Sequence, residues 1–210
     1  MDAKRVSELT EQLDERLGGQ HGGGRHGAPG AGSGLLAATR AFAGALRGSV
    51  TRRSARGLLL VGAPQHEPWH LAAHLQDEAA WSGAPLLAPA LVRHRVPAGA
   101  PAHLRHDLRR LTDARRGETV LVVTPVAAGA VLLDRVQDAR RAGATVLTLE
   151  AGDQELASLA HESLTVDSPD EPGFDLVQHL VSAAAGERRR AGSRLSRLLA
   201  TFSTEPVNRW

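Results

Sequence analysis

The sequence contains no cysteine, which excludes disulfide bridges, zinc–thiolate sites and thiol catalysis. Aromatic residues amount to only 3% and tyrosine is absent, so a core must be built from Leu, Val and Ala side chains. No apolar run approaches the length of a membrane span, and the charged residues 1–17 lack the apolar segment of a secretion signal. These absences favour a cytoplasmic protein without a membrane partner.

Lysine is almost missing as well, since Lys4 is the only one among 25 basic residues. The formal net charge is only +2. The pI of about 10.2 therefore reflects arginine, which does not titrate near neutral pH, rather than a large positive field. Arginines cluster after residue 187, but stacking aromatics are not interleaved with them, as a nucleic-acid site would need. We therefore expect no nucleic-acid partner, and interpret the cluster as solvated or partner-docking helix surface.

The composition divides the chain into four segments. Residues 1–17 have the apolar spacing of an amphipathic helix, and the glycine-rich residues 18–34 are typical of a flexible linker. Residues 35–186 have the pattern of a folded α/β domain. Residues 187–210 predict a basic amphipathic helix followed by a short tail.

Apolar runs alternate with helical patterns throughout residues 35–186. The runs at 58–62, 120–124 and 145–149, the last within a predicted strand 144–150, are almost continuously apolar, which is typical of parallel strands buried on both faces. Together with weaker strands at 85–92 and 163–166, they predict a doubly wound α/β fold, a five-stranded parallel sheet with helices on both faces. The expected helices are 35–47, 68–81, 101–115, 129–142, 153–160 and 174–185.

Ligands of such folds bind beyond the carboxyl ends of the strands, so the loops 62–68 and 124–130 are the expected site. The first loop contains His66–His70, which matches the H-E-x-x-H zinc-peptidase motif. Pro68 is suited to the first position of the helix, which would leave the first histidine and the glutamate in the loop. We therefore expect no metal, and the loop either contacts a ligand or forms a hydrogen-bonded turn.

Residues 118–166 resemble the second half of a sugar isomerase (SIS) domain. The matching pieces are the helix end Ala139–Ala144, with its A-x-x-x-G-A pattern, and the later run Leu156–His161, in the same order and at the same spacing. His161 stands where the family usually has Asp. The resemblance implies a homodimer, and we expect no cofactor.

A second similarity lies at His70–Leu75, which resembles a helix of phosphoheptose isomerases that carries a proton-transfer Glu. His74 stands at that position in this chain. Some SIS isomerases also use a histidine of the closing helix as acid or base, which makes His179 a candidate, although a surface histidine is the simpler interpretation. The catalytic candidates are therefore His74, Glu67 and His179.

The family holds the phosphate of its substrate with a Ser/Thr-rich turn and the N–H groups of the following helix. Here Thr124 keeps one hydroxyl, but Pro125 removes an N–H donor, and Val126 and Ala127 stand where a hydroxyl and a glycine are expected. Backbone amides and the helix dipole remain for an anion. The predicted ligand-binding residues are Gly62, Gln65, His66, Thr124, Ala128 and Gly129.

The chain resembles the family in its fold but lacks most of the residues that the family uses to bind phosphate and to catalyse isomerisation. This combination leads to three hypotheses. The first is a non-catalytic protein that binds a sugar phosphate or a similar small anionic carbohydrate derivative in a regulatory role. The second is an active aldose–ketose isomerase of the phosphoheptose type. The third is a protein-interaction scaffold that uses its helical termini.

Overall fold

The computed structural model describes residues 31–167 and 173–187. The predicted N-terminal helix and the basic segment from residue 188 onward lie outside the described residues. The first helix, α1, spans Ala31–Thr51 and therefore includes residues 31–34, the last four of the expected linker. Within the described residues, no helix is both long enough and apolar enough to cross a membrane.

Five strands form one sheet in which every neighbouring pair is parallel, in the order β2-β1-β3-β4-β5. This arrangement confirms the predicted doubly wound α/β fold. The first and third strands are neighbours, with Val61 paired to Val122. The strands are β1 Gly57–Val61, β2 Pro89–Val92, β3 Glu118–Thr124, β4 Thr145–Glu150 and β5 Glu162–Thr165.

The remaining helices of the described residues connect and cover these strands. Two short 3₁₀ turns, Pro85–Leu87 and Ala102–Leu104, precede and follow β2. The α-helices after α1 are α2 Trp69–Ser82, the single turn α3 Arg109–Thr112, α4 Ala130–Arg141, α5 Gln154–Leu159 and α6 Gly173–Gly186.

The sheet separates two apolar layers, which explains why its strands read as continuous apolar runs. In β1, Leu58 and Leu60 face the layer formed with α1, α2 and α6, while Leu59 and Val61 face the layer formed with α4. Successive side chains of a strand point to opposite faces, and here both faces are covered. Apolar residues therefore predominate along the central strands.

Two sequence-based expectations near β2 are wrong. The predicted helix 101–115 is broken, because the backbone near residue 106 pairs with the end of β2: Arg93 N donates to His106 O at 2.8 Å. The Asp107 carboxylate then accepts from Arg109 N at 2.9 Å and starts the single turn α3. The predicted strand 85–92 begins only at Pro89, which is tolerated because β2 lies at the edge of the sheet.

Candidate functional site

The candidate site lies where β1 and β3 end side by side. The chain passes from β1 to β2 on one side and returns to β3 on the other, so the crevice between their following loops is the topological switch point of the sheet. The loops 62–68 and 124–130 therefore both lie at the carboxyl edge of the sheet.

Gly62 allows the first loop to fold back tightly on the end of β1. A Cβ atom at this position would lie 1.8 Å from the backbone oxygen of His66, so any side chain would force the loop apart. The turn is closed by a hydrogen bond from His66 N to Ala63 O at 3.0 Å. The ring of His94, which follows β2, lies 2.7 Å from Gly62 O through its Nε2 atom.

Glu67 holds this loop to the end of β2. Its Oε2 atom lies 3.0 Å from an Arg93 guanidinium nitrogen and accepts a hydrogen bond from Trp69 Nε1 at 2.8 Å. Arg93 Nε also donates to Oε1 at 3.2 Å, and the guanidinium lies 4.8 Å from the centre of the Trp69 ring. Both carboxylate oxygens are therefore engaged, and Glu67 fixes the orientation of the indole.

The loop geometry removes the basis of the H-E-x-x-H motif. Helix α2 begins at Trp69, after Pro68, so the two histidines of the motif do not share a helix face. Across residues 31–167 and 173–187, no group of three or more His, Cys, Asp or Glu side chains is arranged to hold a metal ion.

A polar cleft of about 240 Å³ opens between this loop and the start of α6. Two predicted residues, Gln65 and His66, lie in its wall, and the ring of His66 contacts Phe174 of α6 edge-on at 5.9 Å. Helix α6 adds Asp175 and Gln178, a hydrogen-bonded pair that no sequence pattern predicted at this position. The residues of the wall are Gln65, His66, Glu67, Pro68, Trp69, His70, Asp175 and Gln178.

His74 and His179 contact each other between α2 and α6, with ring centres 4.3 Å apart. His179 is partly buried rather than fully exposed. Burial lowers the pKa of His179, and the neighbouring His74 lowers it further, whereas Asp175 acts in the opposite direction. Neither histidine lines the cleft, so the structure does not bring the three catalytic candidates together.

Hydrogen-bonding groups of the turn after β3 are engaged by other groups of the protein. The buried Thr124 hydroxyl donates to Val126 O at 2.6 Å and accepts from Val126 N at 3.2 Å. Ala128 N donates to Asp153 Oδ2 at 2.8 Å, and the other oxygen of Asp153 caps α5 by accepting from Leu156 N at 3.0 Å. The hydroxyl and one amide that a phosphate would use are thus already engaged.

Glu150 supports this arrangement from the end of β4. It is buried, with 1% of its surface exposed, and its Oε2 atom accepts from Gly152 N at 2.5 Å and from Asp153 N at 2.7 Å. Thr165 Oγ1 donates to the other oxygen at 2.5 Å. A buried carboxylate with several donors is stable in this position, and it orients Asp153 beneath the turn.

Helix α4 begins directly after this turn. Gly129 precedes it with φ 78° and ψ 151°, and no side chain caps the helix start. Gly129, Ala130 and Val131 are all exposed. The first N–H groups of a helix have no acceptor within the helix, so this end remains complementary to negative charge.

His161, the position where the sequence departs from the family pattern, has a structural contact. Its Nδ1 atom accepts from Val146 N at 3.0 Å, and its own backbone N donates to Val146 O at 2.8 Å. The side chain therefore extends the pairing between β4 and the start of β5.

No family model matches the sequence, and no curated protein matches it in sequence. The structure, however, is similar to solved α/β proteins of one class. The sugar isomerase domain of the RpiR transcription factor from Sphaerobacter thermophilus is 14% identical, with a TM-score of 0.50, over 95% of this chain and 94% of that one. The chain therefore has the sugar isomerase (SIS) domain fold.

Two longer proteins contain the same fold. NanR of Vibrio vulnificus, solved in complex with ManNAc-6P, is 12% identical with a TM-score of 0.51, over 95% of this chain and 62% of that one. A candidate phosphosugar isomerase from Silicibacter pomeroyi is 15% identical with a TM-score of 0.50, over 95% of this chain and 53% of that one. This chain thus spans less than two thirds of the length of either protein.

Proposed function

We propose that this SIS-fold protein binds a small phosphorylated sugar, or a similar anionic carbohydrate derivative, and acts in regulation without converting its ligand. The observation that carries the proposal of binding is the polar cleft beside the switch point. The candidate bases near this cleft are already engaged in contacts with other side chains of the protein, which supports binding without conversion. NanR, which has the same fold, was solved with ManNAc-6P, and this supports the choice of ligand class.

The predicted ligand-binding residues divide into two groups. Gln65 and His66 line the cleft, and the exposed Gly129 lies at the start of α4, so we propose that these contact the ligand directly. Gly62 shapes the first loop. The engaged atoms of Thr124 and Ala128 hold the second loop in position.

The start of α4 is the element best suited to the anionic group of the ligand. Its exposed N–H groups carry the positive end of the helix dipole, which contributes about 0.3–1 kcal/mol to binding of an anion at a surface site. The Asp153 carboxylate on the neighbouring Ala128 amide works against a second negative charge. Weak anion binding is therefore expected, which suits a sensor more than a tight phosphate site.

The contacts of the candidate bases are unfavourable for catalysis. A general base must lie within about 2.6–3.2 Å of the proton that it removes. Both oxygens of Glu67 accept hydrogen bonds from Arg93 and Trp69, and His74 is packed against His179 outside the cleft. Glu67 lines the cleft with both oxygens engaged, while His74 and His179 lie outside its wall.

The alternative is an active aldose–ketose isomerase, and one observation favours it. The lowered pKa of His179 keeps its imidazole neutral, which is the form that accepts a proton. A rearrangement of α6 would have to bring this ring into the cleft. Turnover of a hexose or heptose phosphate that is lost in His74→Ala or His179→Ala would establish this alternative.

We also propose that the chain forms a homodimer, on the basis of its resemblance to SIS proteins. Light scattering after size exclusion measures the mass directly. A mass corresponding to two chains of 22.2 kDa supports the dimer, and the mass of a single chain contradicts it.

A thermal-shift screen tests the binding proposal. A ligand at 100 times its Kd stabilises the folded state by about 2.7 kcal/mol, which corresponds to an increase in Tm of roughly 5–10 °C for a chain of this size. The panel contains ManNAc-6P and the common pentose, hexose and heptose phosphates, with inorganic phosphate at matched ionic strength as the control. If no sugar phosphate raises the Tm above the control, the binding proposal is wrong.

A further inference from the structure

We infer that the cleft between the 62–68 loop and α6 recognises the uncharged, hydroxyl-bearing carbon chain of the ligand, with the Trp69 indole as its stacking surface and the Asp175 carboxylate as its hydroxyl acceptor. The inference rests on the proposed function, since it concerns the same edge of the sheet. It assigns the cleft to the sugar and leaves any phosphate outside it.

Trp69 has the properties of a preformed stacking surface. The side chain is 38% exposed although its ring is fixed by a hydrogen bond from Nε1 to Glu67 and by the guanidinium of Arg93. Arg93 is not part of the cleft wall, whereas Trp69 is. We therefore propose that the ring face not covered by the guanidinium is the one that contacts the ligand, because the C–H face of a sugar ring matches such a surface.

The charge of the cleft wall favours hydroxyl groups over phosphate. The wall contains two carboxylates, Glu67 and Asp175. Glu67 is neutralised by its ion pair with Arg93, but within residues 31–167 and 173–187 no cation pairs with Asp175. A phosphate in the cleft would be repelled by this uncompensated charge.

Asp175 is held in a position that suits a pair of neighbouring hydroxyls. Gln178, which is 4% exposed, donates from Nε2 to Asp175 Oδ1 at 2.8 Å and so fixes the carboxylate against the wall. A carboxylate has about four acceptor sites, and only one is used by this contact. Hydroxyls on adjacent carbons can donate to the remaining sites, while the amide of Gln65 offers both a donor and an acceptor.

The volume indicates how much of a ligand the cleft itself can hold. About 240 Å³ lies below the roughly 300–1,000 Å³ of pockets that hold drug-sized ligands. One monosaccharide unit is of a suitable size, and any further part of a ligand would lie outside the cleft. The same chemistry is present in a free sugar and in the carbon chain of a sugar phosphate, so the two sources must be separated experimentally.

Fluorescence of Trp69 provides a direct test. The chain contains three tryptophans, and Trp81→Phe with Trp210→Phe leaves Trp69 as the only reporter. This variant is titrated with a panel of pentoses, hexoses and N-acetylhexosamines, each with its phosphate ester, and with inorganic phosphate. We expect sugars of matching stereochemistry to change the emission in both forms, and inorganic phosphate to leave it unchanged and not to compete.

Calorimetry with the best sugar then tests the two residues. Trp69→Ala and Asp175→Asn are each expected to weaken binding at least tenfold. Trp81→Ala is the matched control: it removes an indole from the same helix, 62% exposed and outside the cleft wall, and should leave the affinity unchanged. The Tm of each variant verifies folding, and Asp175→Asn preserves the shape of the side chain if Trp69→Ala is unstable.

The outcomes separate this inference from the function on which it rests. If sugar phosphates bind but both substitutions leave their affinity unchanged, the inference is wrong and the proposed function stands. If free sugars bind and their phosphates do not, the inference holds and the phosphorylated ligand is wrong. If no member of the panel binds, both are wrong.

Discussion

Removal of the Asp153 side chain should destabilise the protein because one carboxylate connects two loops of the site. In Asp153→Ala, helix α5 loses its N-cap, which costs about 1 kcal/mol. The Ala128 N–H, in a residue that is 2% exposed, loses its acceptor, and an unsatisfied buried donor costs about 1–3 kcal/mol. The free energy of unfolding should therefore fall by about 2–4 kcal/mol.

Urea unfolding at pH 7 measures this change, with two further variants for comparison. Asp153→Asn keeps the shape and an N-cap oxygen, so about half of the loss is expected. Glu155→Ala removes an exposed carboxylate two residues later and should cost at most about 1 kcal/mol, the upper value for a charge at a helix start. If Asp153→Ala costs no more than Glu155→Ala, the proposed support of the β3 turn by Asp153 is refuted.

Four further substitutions test other parts of the structure. The pKa of His179 is lowered in the folded state, so the unfolded chain binds a proton at this side chain at a higher pH than the folded chain does. The free energy of unfolding should therefore fall as the pH decreases below about 6.5. Unfolding measured from pH 8 to 5 should show a smaller fall for His179→Gln than for the unchanged protein. Burial raises the pKa of Glu78, so its ionised form is disfavoured by folding, and Glu78→Gln should increase the Tm at pH 7; a decrease would contradict this. Gly62→Ala places a Cβ 1.8 Å from a backbone oxygen and should cost at least about 1–3 kcal/mol, whereas Gly44→Ala, with open space on an exposed helix face, should stabilise by up to about 1 kcal/mol.

The sheet could be predicted from the sequence because burial on both faces leaves a direct trace in the composition of its strands. The run at 120–124 is apolar without alternation, and β3 is buried along its whole length. The helix at 101–115 could not be excluded in the same way. Its leucine spacing is helical, but the backbone near His106 pairs with the end of β2, and this tertiary hydrogen bond overrides the local pattern.

The position of the two loops at the carboxyl edge was also predictable, but the residues of the candidate cleft were not. A loop after a buried parallel strand must lie at the carboxyl edge, which is sufficient to select the first loop with Gln65 and His66. Asp175 and Gln178 reach the cleft only through the path of α6, which no local pattern specifies. The contact of His179 with His74 likewise joins helices that are far apart in the sequence, and so its burial was missed.

The hydrogen bonds within the turn after β3 show what a comparison of motifs cannot reveal. The sequence shows that Pro125, Val126 and Ala127 replace the residues of a phosphate turn. It does not show that a carboxylate from the β4–α5 connection occupies the adjacent amide. Only the observed contact between Ala128 N and Asp153 Oδ2 establishes that the turn is filled from within, which is why the open cleft becomes the better candidate for the sugar.

Phosphorus NMR tests the central claim, binding without conversion, in one measurement. Each sugar phosphate of the panel is observed alone and with a stoichiometric amount of the protein over several hours. We predict that the phosphate signal of at least one sugar is shifted or broadened by the protein, and that no new phosphate signal develops. Unchanged spectra for every sugar would contradict binding, and a second phosphate signal that grows with time would contradict the absence of catalysis.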